Sequence, residues 1–398
     1  MTHDVAIVGA GMVGTPLAVA LQRAGFDVAL IEASPPAHYD PKSDYDLRVS
    51  ALSAASQRLL ERLGIWPVIA AGRISPYREM QVWDSRGAGV LHFDAAELGL
   101  PQLGHIVENS LIQHAAWQAL DRVSVYCPAR LLALELGGDG YRLVFEGRDA
   151  IEAGLVVGAD GAESRVRELA GIGCSGWSYA QQGIVCNVAT EKPHRHTAWQ
   201  RFLPTGPLAF LPLADGRCSI VWSADAAEAA ALLALDDEAF RQRLAEAFGG
   251  ELGEVTMVSR RAAFPLRMLH ADRYVQSRLA LVGDAAHVIH PLAGQGVNLG
   301  LLDVAALVEV LAQARREGRD IGELRVLQKY ERWRRGDNLL MTAATDGLKR
   351  LFGSRNPLLA FARSRGLGMV NAITPLKNLL IRHAMGIAGD LPPLVRRA

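Results

Sequence analysis

Gly9, Gly11 and Gly14 spell G-x-G-x-x-G, and a carboxylate, Glu32, follows 18 residues after the third glycine. Residues of these types at this spacing hold a dinucleotide. The first glycine permits a tight turn, the second lets the backbone approach a pyrophosphate, and the third brings a helix close to a strand. Amides and positive dipole at the helix N-terminus then face the phosphates. Glu32 is placed to accept hydrogen bonds from an adenosine ribose and would repel a 2′-phosphate, so FAD or NAD fits better than NADP. A second match, Gly171, Gly173 and Gly176, follows the helix-like SRVRELA rather than a strand and reads as a helix terminus and loop. With one fingerprint in the chain, no separate Rossmann domain for a second nucleotide is visible.

Two later segments carry further candidates. GADGAESRVR holds Asp160, Gly161, Ser164 and Arg165, and GDAAHVIHPLAGQGVNLG holds Gly283, Asp284, His287, Pro291, Gly294, Gln295, Gly296, Val297 and Asn298. His287 and His290 form H-x-x-H with no third ligand at metal spacing, so no metal is expected. A nucleophile elbow, G-x-S-x-G, is absent, which argues against a hydrolase.

Together with GAGMVG, these segments resemble the three signatures of the FAD-dependent aromatic-ring hydroxylases, the para-hydroxybenzoate hydroxylase-like class A flavoprotein monooxygenases. HPLAGQGVNLG, LRVSALSAASQRLLERLGIW, FDAAELGLPQLGHIVENSLI and LAFLPL narrow the likeness. They are similar to the ubiquinone-biosynthesis hydroxylases of UbiH, UbiI and UbiF type, over nearly the whole chain. The resemblance implies FAD as cofactor, NAD(P)H as reductant and O₂ as co-substrate, with one oxygen atom delivered to an electron-rich ring by a flavin-hydroperoxide.

It implies cofactor binding by Gly9, Gly11, Gly14, Glu32, Arg48, Asp160, Gly161, Gly283, Asp284, Gly296, Val297 and Asn298. His287, Pro291, Gly294 and Gln295 would stand at the reacting face. Asp284 would accept a hydrogen bond from the ribityl chain, and Gly294 and Gly296 would let backbone lie against the isoalloxazine. The helix from about Val297 would stabilise reduced, anionic flavin by its dipole. Arg48 has a competing reading as an exposed salt-bridging residue. Arg165 would pair with Asp160 or with a phosphate. Asn109 stands where many relatives carry Arg or Gln, and no role is carried over to it. Two other classes remain open: a prenyl reductase on the same flavin scaffold, and a non-catalytic binding module of the prenylated-protein escort kind. A hydroxylase of a different aromatic substrate is a third.

Elements of matching period surround these residues. VAIVGAG reads as a buried strand, MVGTPLAVALQRAG as a helix and DVALIEAS as the next strand, one βαβ unit over 4–34. Helical periodicity returns over 53–63 and 110–120, and REMQVWD and GVLHFD read as strands. SVYCPARLLALELGGDGYRLVFEG reads as strands joined by a GGDG turn, and LVVGADG as another buried strand. From about 181 to 270 the pattern is mostly β, and GVNLGLLDVAALVEVLAQARREG is an amphipathic helix. The expected fold is α/β: a discontinuous Rossmann-like FAD-binding domain (1–75, 101–180, 273–345), substrate-domain strands at 76–100, an inserted β-rich substrate domain (181–272), and a C-terminal helical region (346–398). Apolar strands including Phe210 to Leu213 and Ile220 to Trp222 are placed to contact a polyprenyl chain.

Composition bounds the rest. Among 398 residues, 50% are hydrophobic and 21% charged, enough for a sizeable core and unlike a disordered or collagenous chain. Lys plus Arg and Asp plus Glu are 42 each, so no global charge points to nucleic acid. Four scattered cysteines indicate a reduced, cytoplasmic protein. The N-terminus is apolar but carries Asp4 and lacks a basic leader, and no stretch of about 18 uncharged apolar residues suggests a membrane span. From Asp346 onward, nine Lys or Arg face two Asp among Leu, Ile, Met and Phe. That tail reads either as helices capping the FAD domain or as a peripheral membrane contact. Expected partners are a polyprenylated aromatic substrate and other ubiquinone-biosynthesis proteins, and a homo-oligomer is compatible with the chain.

Overall fold

The computed structural model describes residues 2–87, 89–289, 296–353, 373, 377, 381–382 and 385–397. Strand Thr2–Val8 is buried over most of its length and leads through the glycine turn into helix Gly14–Arg23 and strand Val28–Ile31. It pairs in parallel with Val28–Ile31 on one side and with Arg148–Gly158 on the other. Ser124–Tyr126 extends the sheet beyond Val28–Ile31, and Leu279–Leu281 extends it beyond Arg148–Gly158. One parallel layer is thus assembled from segments more than 270 residues apart, the discontinuity expected of an α/β chain with inserted elements.

A second, nine-stranded sheet carries the intervening chain. Its axis is the 17-residue strand Cys174–Thr190, flanked antiparallel by Ala262–Ala271 and Cys218–Asp225. Gly206–Pro212 and Thr197–Leu203 follow, and Glu79–Asp84 joins in parallel to Thr197–Leu203 with Val90–Asp94 at the edge. The region from 181 to 272 also contains two helices, Ala226–Ala234 and Asp237–Phe248, where a mostly β pattern was expected. They cover one face of the sheet, where Phe240, Leu244 and Phe248 pack on Ile184, Phe210, Ile220 and Trp222. A small antiparallel sheet, Val49–Ser53, Gly104–Glu108 and Ser75–Tyr77, fills the angle between the layers.

Helix Gly296–Arg316 runs through the main core, and helix Leu324–Gly353 packs on it. By length and composition the first could cross a membrane, but 78% of its apolar window is buried within the protein, which marks it as a core helix. Of the basic tail, Ile381 and Met385 pack against Phe93 and Ala95, and Lys377 pairs with Glu97 at 2.6 Å. The rest of the expected helical region and its lipid-facing surface falls largely outside the described residues. The glycine match at 171–176, expected to be a helix terminus and loop, is so in its first part: Gly171 closes the short helix Arg165–Leu169. Gly176, however, already lies in strand Cys174–Thr190.

Candidate cofactor cleft and active site

A cleft of about 470 Å³ opens between the two large sheets. Gly11, Met12, Val13, Arg48, Ser50, Asn109, Gly161, Asp284, Gly296 and Val297 line one wall, so all three signatures reach one space. Val185, Leu211, Val221, Phe264 and Leu266, from the second sheet, give the cleft a largely apolar wall, with Arg267 beside Leu266 as its cation.

The fingerprint glycines have three separate duties. Gly9 adopts φ +104°, and a Cβ there would meet the Ala159 carbonyl oxygen at 2.4 Å. At Gly14 a Cβ would lie 1.9 Å from the Gly9 oxygen, so helix and turn approach to backbone contact. A Cβ on Gly11 meets nothing within 4 Å, leaving its face open to the cleft. The helix after it starts with no side-chain cap and no acid in its first turn. This is a cradle for an anionic diphosphate, built from backbone and dipole, and it fits the pyrophosphate of FAD. Glu32 receives Ala10 N at 2.8 Å and Ser34 N at 3.1 Å, and each oxygen keeps a second lone pair for a ribose hydroxyl. Trp117 Nε1 and Gln113 Nε2 both donate to Ala10 O, fixing the turn from a neighbouring helix.

In the second signature, Asp160 and Gly161 face different ways. Asp160 caps the short helix, accepting from Ser164 Oγ at 2.5 Å and Val166 N at 3.0 Å, so its carboxylate faces protein rather than the cleft. Gly161, at φ +81°, lines the cleft with its Cβ direction open. Arg165 pairs with neither Asp160 nor a cleft site; it meets Glu168 at 2.8 Å and Leu132 O. Arg167, two residues on and buried, donates to Ala162 O and Ala285 O and so ties the second signature to the third.

In the third signature, Gly283 has φ +58° and packs over Val13, which also fits against Gly300. Asp284 faces the cleft. Surrounding protein lifts its carboxyl above the ordinary value, opposed by the positive fields of His287, Arg48 and Arg267. Arg48 forms no ion pair among the described residues; its guanidinium lies 5.0 Å from the Phe264 ring centroid, on the cleft wall. Asn109 also lines the cleft, its Oδ1 accepting from Ser50 Oγ at 2.7 Å.

Two expected site residues sit elsewhere. His287 is 2% exposed, its Nε2 2.6 Å from Asp303 Oδ2, behind the cleft rather than at a reacting face. Asn298 is buried with its side chain committed: Oδ1 accepts from Ser53 N and Ser56 Oγ, and Nδ2 donates to Ala51 O. It anchors the core helix to the small sheet, which leaves only its backbone for a ligand. Pro291, Gly294, Gln295 and His290 lie outside the described residues. On the apolar wall, Leu211 and Val221 face the cleft, whereas Phe210, Ile220 and Trp222 point into the helix-covered core, as strand alternation requires.

A family model described as an FAD binding domain matches residues 2–338. The chain is 44% identical to the 3-demethoxyubiquinol 3-hydroxylase of Escherichia coli, over 96% of this chain and 98% of that one. It is also 44% identical to the ubiquinone hydroxylase UbiL of Rhodospirillum rubrum, over 99% and 92%. Among solved structures, p-nitrophenol 4-monooxygenase from Pseudomonas putida superposes with a TM-score of 0.79 at 19% identity, over 98% of this chain and 99% of that one, a likeness of fold. With the fingerprint, the Asp284 loop and the core-helix start converging on one cleft, the chain belongs to the FAD-binding monooxygenase family that includes these ubiquinone-biosynthesis hydroxylases.

Proposed function

We propose that this chain is an FAD-dependent monooxygenase that hydroxylates the ring of a polyprenylated phenol or benzoquinol in ubiquinone biosynthesis, using O₂ and a nicotinamide reductant. The observation that carries this reading is the cleft itself, with three flavin signatures on one wall and an apolar sheet on the other. FAD supplies the redox and oxygen-transfer chemistry when bound. The chain's own residues bind, orient and keep water out. Gly11 and Met12 would offer backbone to the diphosphate, Glu32 would hold the adenosine ribose, and Asp284 would accept from a ribityl hydroxyl. Gly296 and Val297, at the start of a 21-residue helix that opens on the cleft, would turn positive dipole toward the bound flavin and so favour its anionic, reduced form.

Arg48, held over Phe264, adds a cation to the same space. Val185, Leu211 and Val221 offer an apolar bed to a hydrophobic aromatic substrate and exclude water from the reacting atoms. His287, Asp160 and Asn298 become positioning residues. Flavin binding falls to 1–75, 101–180 and 273–345, and substrate contact to 76–100 and 181–272. The named relatives are hydroxylases, which disfavours a prenyl reductase.

Mass spectrometry of quinone precursors from an aerobically grown strain lacking the gene tests the reading. A prenylated ring compound missing one hydroxyl is expected to accumulate, and the missing oxygen names the ring position. An unchanged quinone profile in a strain with no second homologue would overturn the pathway. Reductant oxidation by the purified protein that proceeds without O₂ would favour the reductase.

A further inference from the structure

Asp303 sits within the core helix with no exposed surface, one turn from buried Leu299 on one side and buried Leu307 on the other. A carboxylate in that setting is costly unless its oxygens are fully engaged. They are. Oδ2 accepts from Gly283 N at 3.1 Å and from His287 Nε2 at 2.6 Å. Oδ1 accepts from Arg334 Nε at 2.8 Å and from Asn338 Nδ2 at 3.2 Å. Burial pushes the Asp303 carboxyl up, but His287 and Arg334 outweigh it and hold it down at about 2. The carboxylate is therefore ionised and acceptor-only, which fixes the proton on His287 Nε2. The two oxygens divide the work. Oδ1 faces the outer helix and is neutralised there, while Oδ2 faces the loop whose next residue, Asp284, lines the cleft. Tyr330, one turn before Arg334, reinforces that loop by donating to Leu281 O at 2.8 Å.

We propose that Asp303 is the positioning residue of the flavin loop. Through Oδ2 it holds the Gly283 amide and the His287 ring, and so places Asp284 where it can engage the cofactor. Arg334 reaches in from the outer helix to keep that buried charge compensated. The inference rests on FAD occupying this cleft. It assigns cofactor retention to a side chain that does not itself line the site.

Three variants separate loop positioning from general core stability. Asp303→Asn replaces one acceptor oxygen by a donor, and His287→Leu removes one of the two Oδ2 contacts. Asn338→Ala removes an Oδ1 contact and leaves the loop side intact. Each protein is purified as it comes. FAD content, the visible flavin spectrum, FAD release on dilution (by fluorescence) and Tm are then measured. Asp303→Asn and His287→Leu are expected to weaken FAD retention about tenfold or more and to shift the flavin band, while Asn338→Ala stays within about twofold of wild type whatever its Tm. FAD loss that tracks Tm equally across all three variants would overturn the proposal, as would unchanged retention in His287→Leu. If Asp303→Asn does not fold, the His287→Leu and Asn338→Ala pair decides. A wild-type protein holding no flavin would remove the premise of FAD binding, a different outcome from flavin held equally by all variants.

Discussion

Adding one methyl group at Gly11 or at Gly14 has opposite expected consequences. Gly11→Ala projects its Cβ into open cleft, so the fold should keep its Tm within a degree or two while FAD binding weakens about tenfold or more, because the methyl occupies the approach of the pyrophosphate. Gly14→Ala drives a Cβ onto the Gly9 carbonyl oxygen, and a backbone neighbour cannot swing away. Its cost belongs at the upper end of the roughly 1–3 kcal/mol typical of overpacking, read by urea unfolding. Equal loss of stability in both variants would mean that Gly11 is a structural glycine only. A second residue-scale prediction concerns acid. Burial, then the fields of His287 and Arg335, hold His270 down at about 4 against the pull of Asp272. Between pH 6.5 and 4 the unfolded chain binds a proton that the folded chain refuses, so stability falls as pH falls through that window. Asp303, held low in the fold, continues the loss below about pH 4. His270→Gln should therefore lose about 2–3 kcal/mol less than wild type between pH 7 and 4.5, measured by chemical denaturation at both values. Parallel losses would show that His270 does not set the slope.

Elements reach the site through a few shared side chains, and Asn298 is the clearest. It joins the start of the core helix to strand Val49–Ser53 and, through Ser56, to helix Ala54–Arg62. Asn298→Ala would leave Ser53 N and Ala51 O buried without partners, a loss of about 2–4 kcal/mol in urea unfolding. A change under about 0.5 kcal/mol would mean that water replaces the amide. Sequence alone placed this residue near the cofactor because G-Q-G-x-N is contiguous, and contiguity does not say which way a helical side chain turns. His287 lies on the short strand His287–Val288, and nothing local to its motif says that its ring turns to Asp303 on the core helix. The βαβ unit, the core helix and the strands were legible because period-2 and period-3.6 patterns are local. Ala226–Ala234 and Asp237–Phe248 were locally legible too: Asp236 caps the second, with Asp237 and Glu238 in its first turn, and a regional reading as β concealed them. Asp303 had a signal in principle, a lone acid on an apolar helical face. Its partners Arg334 and Asn338 come from a different helix, and no local pattern pairs them.

At the scale of the molecule, function depends on two sheets presenting unlike walls to one cleft, and strand alternation lets one strand test that division. In Cys218–Asp225, Val221 faces the cleft and the adjacent Trp222 is 1% exposed among Phe240 and its neighbours. Trp222→Ala removes a large core side chain and should cost about 3–5 kcal/mol, with the KM for the aromatic substrate unchanged at a temperature where the fold survives. Val221→Trp adds its bulk to the cleft instead, where no core must part to admit it. Its Tm and bound FAD should stay near wild type, and KM for the ring substrate should rise about tenfold or more as the apolar bed is filled. The two neighbours thus exchange effects, one acting on stability and the other on substrate. If Val221→Trp released FAD and left substrate binding unchanged, the cofactor would extend onto the sheet wall. The aromatic substrate would then have to enter from the side of Arg48 and Asn109.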